Sequence, residues 1–253
     1  MKRDIGISLK NLGTDHIDLY QLHNIQPADV EKVFGPDGAY KALLEAKAEG
    51  KVLHIGYTTH KAETMEKILA EHVDELESVM FPYNLVEVHG EELLRKSREA
   101  GLGTIAMKPL AGGNLEDYKL AMRFIAQSDC IDVIIPGMGD PEEVDMNAGA
   151  LKDDSPLTAE EIAEIERIRK ELGTHFCRRC GYCAPCTVGI SIPNMFLFAN
   201  YKKRYNLGDW AQSRYDASAV KASACIECGA CEERCPYDLP IREMLKEVVA
   251  LME

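Results

Sequence analysis

Cys225-Ile-Glu-Cys228-Gly-Ala-Cys231-Glu-Glu-Arg-Cys235-Pro236 spaces four thiols by two, two and three residues and ends on a proline that turns the chain away. An earlier run, Cys177-Arg-Arg-Cys180-Gly-Tyr-Cys183-Ala-Pro-Cys186, repeats the pattern with a final gap of two. Together the runs hold eight of the nine cysteines in the 253-residue chain. Two-residue gaps let three sulfurs converge on one inorganic cluster while loop N–H groups face its sulfides, the habit of [4Fe-4S] ligand loops. A disulfide framework fits a largely aliphatic, acidic chain poorly. Structural zinc expects two cysteine pairs split by a longer loop, not three or four thiols crowded into each. The spacing therefore favours iron–sulfur ligation over both. The ninth thiol, Cys130, precedes an apolar run and is expected to be an inert core cysteine.

Outward from the cysteines, helical patterns cover residues 193–205 and 208–218, with Pro193-Asn194 suited to a helix start and Gly208 breaking the pattern. Upstream, Thr158-Ala-Glu-Glu161 reads as a capping box opening a helix that ends near Gly173. Charge divides there too. The first 173 residues carry 19 Lys+Arg against 33 Asp+Glu, a net of −14, and the remainder 10 against 9, a net of +1. Nucleic acid is thus not an expected partner of the larger part. No apolar run is long enough to span a membrane, and a cytoplasmic protein is expected. Before residue 173, unbroken apolar runs at 17–22, 52–57, 77–81, 103–107 and 131–135 alternate with helical patterns at 39–49, 62–69, 90–100 and 116–127. That alternation predicts parallel strands covered by crossover helices.

Particular stretches resemble a known family. Residues 5–23, Ile-Gly-Ile-Ser-Leu-Lys-Asn-Leu-Gly-Thr-Asp-His-Ile-Asp-Leu-Tyr-Gln-Leu-His, resemble the aldo/keto reductase segment from the third helix through the fourth strand. Gly-Lys-Val-Leu-His-Ile-Gly-Tyr-Thr-Thr-His at 50–60 is similar to its fifth strand. Met-Lys-Pro-Leu-Ala-Gly-Gly at 107–113 and Ile-Pro-Gly-Met at 135–138 are similar to the ends of its seventh and eighth. The cysteine runs are similar to those of the subgroup with a C-terminal 4Fe-4S module. The resemblance implies an α/β fold: a partial (β/α)8 (TIM) barrel, strands four to eight, in residues 1–173, then an α-helical ferredoxin-like iron–sulfur domain in residues 174–253. Met1 stands where the helix before strand four begins. The first three βα units, with the family's catalytic Tyr and its Asp and Lys partners, are expected to be missing from this chain. Such barrels take about 200–250 residues, so a fragment, or a barrel that another chain completes, is expected. Self-association through the incomplete barrel follows.

The resemblance also implies site residues. His23 matches the family histidine that helps polarise a substrate carbonyl. Thr58 and Thr59 replace a Ser-Asn pair that holds the nicotinamide amide. Lys108 could supply charge to a phosphate cradled by the glycine-containing loops after the last two strands. Asn147 matches an adenine contact, whereas Glu143 replaces an arginine that holds the 2′-phosphate and would repel it. By the exchange of fourth ligands in two-cluster ferredoxins, Cys177, Cys180, Cys183 and Cys235 would hold one cubane, and Cys225, Cys228, Cys231 and Cys186 the other. The implied cofactors are two [4Fe-4S] clusters and NAD(P)H, with NADH against NADPH left open. The implied function is an oxidoreductase coupling a nicotinamide/carbonyl site to the clusters, with little carbonyl reduction by this chain without the Tyr. An electron-transfer subunit whose barrel remnant serves as a docking scaffold is the alternative. The expected partners are a redox protein or a small carbonyl substrate.

Overall fold

Each apolar run becomes a strand because the helix that follows returns the chain to the same end of the sheet, burying one strand face under its own apolar stripe. The computed structural model describes residues 1–173, 177–179, 181–204, 207–235 and 238–253. They form two compact units, Met1–Thr158 and Ala159–Glu253. In chain order the first contains α1 (Lys2–Leu12), β1 (Ile17–Leu22), α2 (Val30–Phe34), α3 (Ala39–Ala48), β2 (Val52–Thr58), α4 (Ala62–Glu71), β3 (Ser78–Pro82), α5 (Glu91–Glu99), β4 (Gly103–Met107), α6 (Tyr118–Ala126), β5 (Val133–Ile135) and α7 (Pro141–Ala150). The strands pair in the order β1-β2-β3-β4-β5, all parallel, as a curled half-barrel.

The register sorts side chains onto two faces. Leu22, Ile55, Tyr57, Val79, Phe81, Thr104 and Ala106 lie on one, buried with Leu43, Met65, Ile68 and Leu94 of the helices. Fully burying each large aliphatic or aromatic side chain contributes about 1.5–3 kcal/mol. The opposite face carries Leu19, Met80, Ile105, Met107, Val133 and Ile135. Here Val133 is 48% and Ile135 41% exposed. Part of this apolar face, at Leu19, Val133 and Ile135, is open to solvent, while Met80, Ile105 and Met107 are half-buried.

Boundaries differ from the sequence pattern where side chains replace backbone pairing. The strand expected over 131–135 begins at Val133, because the Asp132 carboxylate accepts from both the Thr104 N–H and its hydroxyl, each at 2.9 Å. The helix expected from 116 starts at Tyr118, where Asp117 caps the Leu120 N–H at 2.9 Å. Helix α7 was not legible from periodicity, since its apolar residues do not gather on one side; its start is instead set by the Asp140-Pro141 cap.

At the N-terminal ends of the strands, Glu77 accepts from Lys47 Nζ at 2.6 Å, His54 Nδ1 at 2.5 Å and the Ile55 N–H at 3.3 Å. Partial burial opposes ionisation, but the hydrogen bonds from Lys47, His54 and Ile55 outweigh it and lower the carboxyl to about 2. A folded pKa below the unfolded one adds stability above the ordinary carboxylate range, lost as pH falls from about 4.5 toward 2. Because the side chain is 40% exposed, screening limits the effect. Glu77→Gln is expected to cost on the order of 1 kcal/mol at pH 7 and much less at pH 2. Thermal melts of both proteins across that window check it; equal melting shifts at pH 7 and pH 2 would contradict it.

The second unit contains α8 (Ala159–Gly173), α9 (Ile192–Arg204), α10 (Gly208–Asp216), α11 (Ala230–Glu233) and α12 (Ile241–Met252). Helix α9 packs on α10 and α12 around Met195, Ala211, Tyr215, Leu245 and Val248. The end of the chain is tied in by Tyr215, whose hydroxyl donates to Glu253 and accepts from the Ala222 N–H at 3.0 Å. Among the described residues, no helix is long and apolar enough to cross a membrane.

Candidate redox centre

Among the described residues, the two cysteine runs share a backbone habit. The residue before the second cysteine of each, Arg179 at φ 55° and Glu227 at φ 53°, is left-handed. So is the glycine after it, Gly181 at φ 86° and Gly229 at φ 79°. Two left-handed residues around one thiol reverse the chain tightly, and glycine takes one of them without steric cost. Cys180 and Pro236 lie outside the described residues.

Two recesses open in this unit. One is lined by Cys186 of the first run and Cys225, Cys228 and Cys231 of the second. The other is lined by Cys177 and Cys183 of the first run and Cys235 of the second. Ile192 borders both. Apolar side chains complete the walls: Val188, Ile226 and Leu245 in one, Phe196, Leu239 and Ile241 in the other. Among the described residues, no three His, Cys, Asp or Glu side chains converge as they would on a single metal ion. Thiols of both runs line each recess. Thiolates are the ligating form. At Cys228 a hydrogen bond with Thr187 Oγ1, at 3.3 Å, and then the Ala230 N–H hold the thiol below its ordinary range. Burial pushes Cys231 up, the penalty that metal coordination removes.

The remaining expected site residues lie in the first unit. His23 follows β1, is exposed, and borders a recess with Asn24, Asp29 and Lys32. Its neighbour Asn24 is left-handed, φ 53°. Threonines hold that turn. Thr58 Oγ1 accepts from the Asn24 N–H at 2.7 Å, and the Ile25 carbonyl accepts from Thr59 Oγ1 at 2.8 Å and Thr64 Oγ1 at 3.2 Å. Thr58 and Thr59 are both buried, so the hydroxyls expected at a nicotinamide are seen anchoring the His23 loop. Sequence reasoning missed Thr64 in this cluster, because only the fold brings α4 against the loop.

Lys108 follows β4 and is left-handed, φ 55°, with its carbonyl accepting from Asn84 Nδ2 at 2.9 Å. His23, Thr58 and Lys108 thus share the C-terminal end of the sheet, after β1, on β2 and after β4. Asn147 is buried on α7, apart from that row. The start of α7 is filled by its own carboxylates: Asp140 Oδ1 accepts from the Glu143 N–H at 3.0 Å, and Glu143 Oε2 accepts from the Gly139 N–H at 2.5 Å. Those N–H groups are the ones a phosphate would otherwise use. Cys130 is fully buried, 2.9 Å from Ser128 Oγ, and its thiol is pushed up by burial.

Comparison with known proteins agrees with both units. Residues 1–120 match the aldo/keto reductase family model, and residues 176–240 match the 4Fe-4S dicluster domain. An uncharacterized oxidoreductase of Bacillus subtilis, YrpG, is 35% identical over 120 residues, 46% of this chain and 35% of its own length. An uncharacterized oxidoreductase of Schizosaccharomyces pombe, C215.11c, is 24% identical over 166 residues, 59% of this chain and 52% of its own length. The aldo-keto reductase yakc [NADP(+)] of the same yeast is 30% identical over 119 residues, 46% of this chain and 33% of its length. The matched regions thus span a third to about a half of these relatives. Among solved structures, the aldo-keto reductase AKR11C1 from Bacillus halodurans in its holo form superposes with a TM-score of 0.55 at 24% identity, covering 66% of each chain. Sequence matches over both units, on a parallel half-barrel followed by a helical cysteine-bearing unit, show an aldo/keto reductase domain and a C-terminal 4Fe-4S dicluster domain.

Proposed function

We propose that this chain transfers electrons through two [4Fe-4S] clusters as part of an aldo/keto reductase-type oxidoreductase. Cys177, Cys180, Cys183 and Cys235 hold one cluster, and Cys225, Cys228, Cys231 and Cys186 the other. The observation that carries the reading is the mixed lining of the recesses: each combines thiols of one run with the last thiol of the other. Bound cubanes supply one-electron redox chemistry. The chain's part is to present thiolates, wall the clusters with apolar side chains and keep the two sites adjacent across Ile192. A redox protein is the natural partner of such a module.

A nicotinamide and carbonyl site is proposed at the C-terminal end of the sheet, with His23 facing the carbonyl, Thr58 and Thr59 supporting the loop beneath it and Lys108 offering charge. Asn147 would contact the adenine from α7. One relative's name carries NADP(+). In this chain Asp140 and Glu143 at the start of α7 favour a nicotinamide without the 2′-phosphate. The observation favouring plain electron transfer over carbonyl reduction is the engagement of the Thr58 and Thr59 hydroxyls inside the fold.

Anaerobic reconstitution with iron and sulfide tests the first reading. The expected result is about eight irons per chain and reversible reduction followed by visible absorbance and electron paramagnetic resonance. Stoichiometric zinc in protein purified anaerobically would overturn it. Assays with NADH or NADPH and a small carbonyl compound separate the two functions. Reversible cluster reduction with little turnover is expected; robust turnover abolished by His23→Ala would establish the carbonyl reductase instead.

A further inference from the structure

Two short segments pass between the recesses. One runs from Cys183 to Cys186, leaving the recess of Cys177 and Cys183 and entering that of Cys225 and Cys228; the other runs back, from Cys231 to Cys235. Arg234 sits on the second segment, and its guanidinium reaches three consecutive carbonyls of the first. Nη2 donates to Pro185 O at 2.9 Å and Cys183 O at 3.1 Å, and Nη1 to Ala184 O at 3.5 Å. Nε donates to Ala230 O at 2.8 Å, fixing the guanidinium to its own segment at the start of α11. Arg234 also lines the recess of Cys186, Cys225, Cys228 and Cys231.

The Cys183–Cys186 segment has only two residues in which to carry a thiol from one recess to the other, one fewer than its counterpart. It belongs to no helix or strand. A planar five-donor fork can bind several carbonyls at once, which a lysine ammonium on its flexible stem does with less geometric control. We propose that Arg234 is a staple joining the two inter-cluster crossovers, a positioning residue that aims Cys186 into the recess of Cys225, Cys228 and Cys231 and sets the separation of the two centres. The inference rests on the two-cluster reading above and adds a residue outside the ligand set.

The test uses the full chain, reconstituted anaerobically with iron and sulfide, as wild type, Arg234→Met, Arg234→Lys, Cys186→Ser and the Cys186→Ser/Arg234→Met double variant. In the fully reduced wild type, two neighbouring centres are expected to give a resonance spectrum broadened by their magnetic interaction. Arg234→Met is expected to lose the cluster of the Cys186 recess, leaving about half the iron and a spectrum without that interaction. Arg234→Lys should assemble both clusters but release iron to a chelator several-fold faster. Iron release from the double variant should match that from Cys186→Ser alone, because both changes act through one ligand. Wild-type iron content, release rate and spectrum in Arg234→Met would overturn the staple. So would a double variant that loses iron from both recesses, or an Arg234→Lys protein indistinguishable from wild type should the methionine variant fail to fold. A wild type that binds fewer than two clusters would overturn the underlying reading, and the staple with it.

Discussion

Cys228→Ala is expected to remove about four of eight irons per chain and to melt the loops of the second unit while sparing its helices. Cys228 lines the recess with Cys186, Cys225 and Cys231, and a cubane deprived of one of four thiolates is open to solvent and oxidant. Among their described residues, the segments 177–191 and 222–240 contain little regular structure beyond α11 and a helical turn at Ala222–Ala224, and under the proposed ligation cluster bonds would hold them in place. Ligation and folding are coupled in small metal domains, where structural zinc, for comparison, supplies about 10–16 kcal/mol. The α9, α10 and α12 layer keeps its own buried core of Met195, Ala211, Tyr215, Leu245 and Val248 and should retain helical circular dichroism. Cys130→Ala is the control: a thiol buried in the first unit, whose loss should leave iron content unchanged. Full iron in Cys228→Ala, or equal loss in Cys130→Ala, would sink the ligand assignment.

The second large effect concerns the open face of the half-barrel. Wild-type protein is expected to self-associate as concentration and salt rise, and Val133→Lys with Ile135→Lys to suppress that association. Among the described residues, strand β5 pairs only with β4 on one side, and β1 only with β2, so both edges offer backbone groups to another strand. Leu19, Met80, Ile105, Met107, Val133 and Ile135 add an apolar surface between those edges. Covering it is worth about 25 cal/mol per Å². The net charge of −14 over the first 173 residues opposes contact between copies, and salt weakens that opposition within a Debye length of about 8 Å at physiological strength. Lysine at the two exposed β5 positions costs the fold little while blocking the edge. Light scattering across protein and salt concentration reads the result. A wild-type monomer at every condition, unfolding cooperatively, would show that the face is stable in water and that the expectation is wrong.

Local pattern carried much of this architecture. The runs at 17–22 and 103–107 coincide with β1 and β4, and the parallel order follows from helices that return the chain after each strand. Those features arise from the period of apolar residues, a property of neighbours in the chain. Cysteine spacing likewise announced cluster-type loops, because two-residue gaps constrain sulfurs that are close in sequence.

Contacts across long stretches of chain were decided only by folding. Cys186 comes to line a recess with Cys225 because α9 and α10 pack and bring residues separated by about forty positions together; no local spacing encodes that closure. Thr58 and Thr59 read as cofactor residues by position, yet the fold lays the His23 loop over them, and their hydroxyls meet Asn24 and Ile25. Asp132 shortens β5 because β4 places Thr104 within reach. Arg234 reads as an ordinary charge between two cysteines until the loop of Cys183–Pro185 folds against it. The sequence by itself determined the strand–helix alternation and the cluster chemistry, since both depend on near neighbours. The tertiary structure alone decided which thiols share a recess and which polar groups are engaged, since those depend on where distant segments meet.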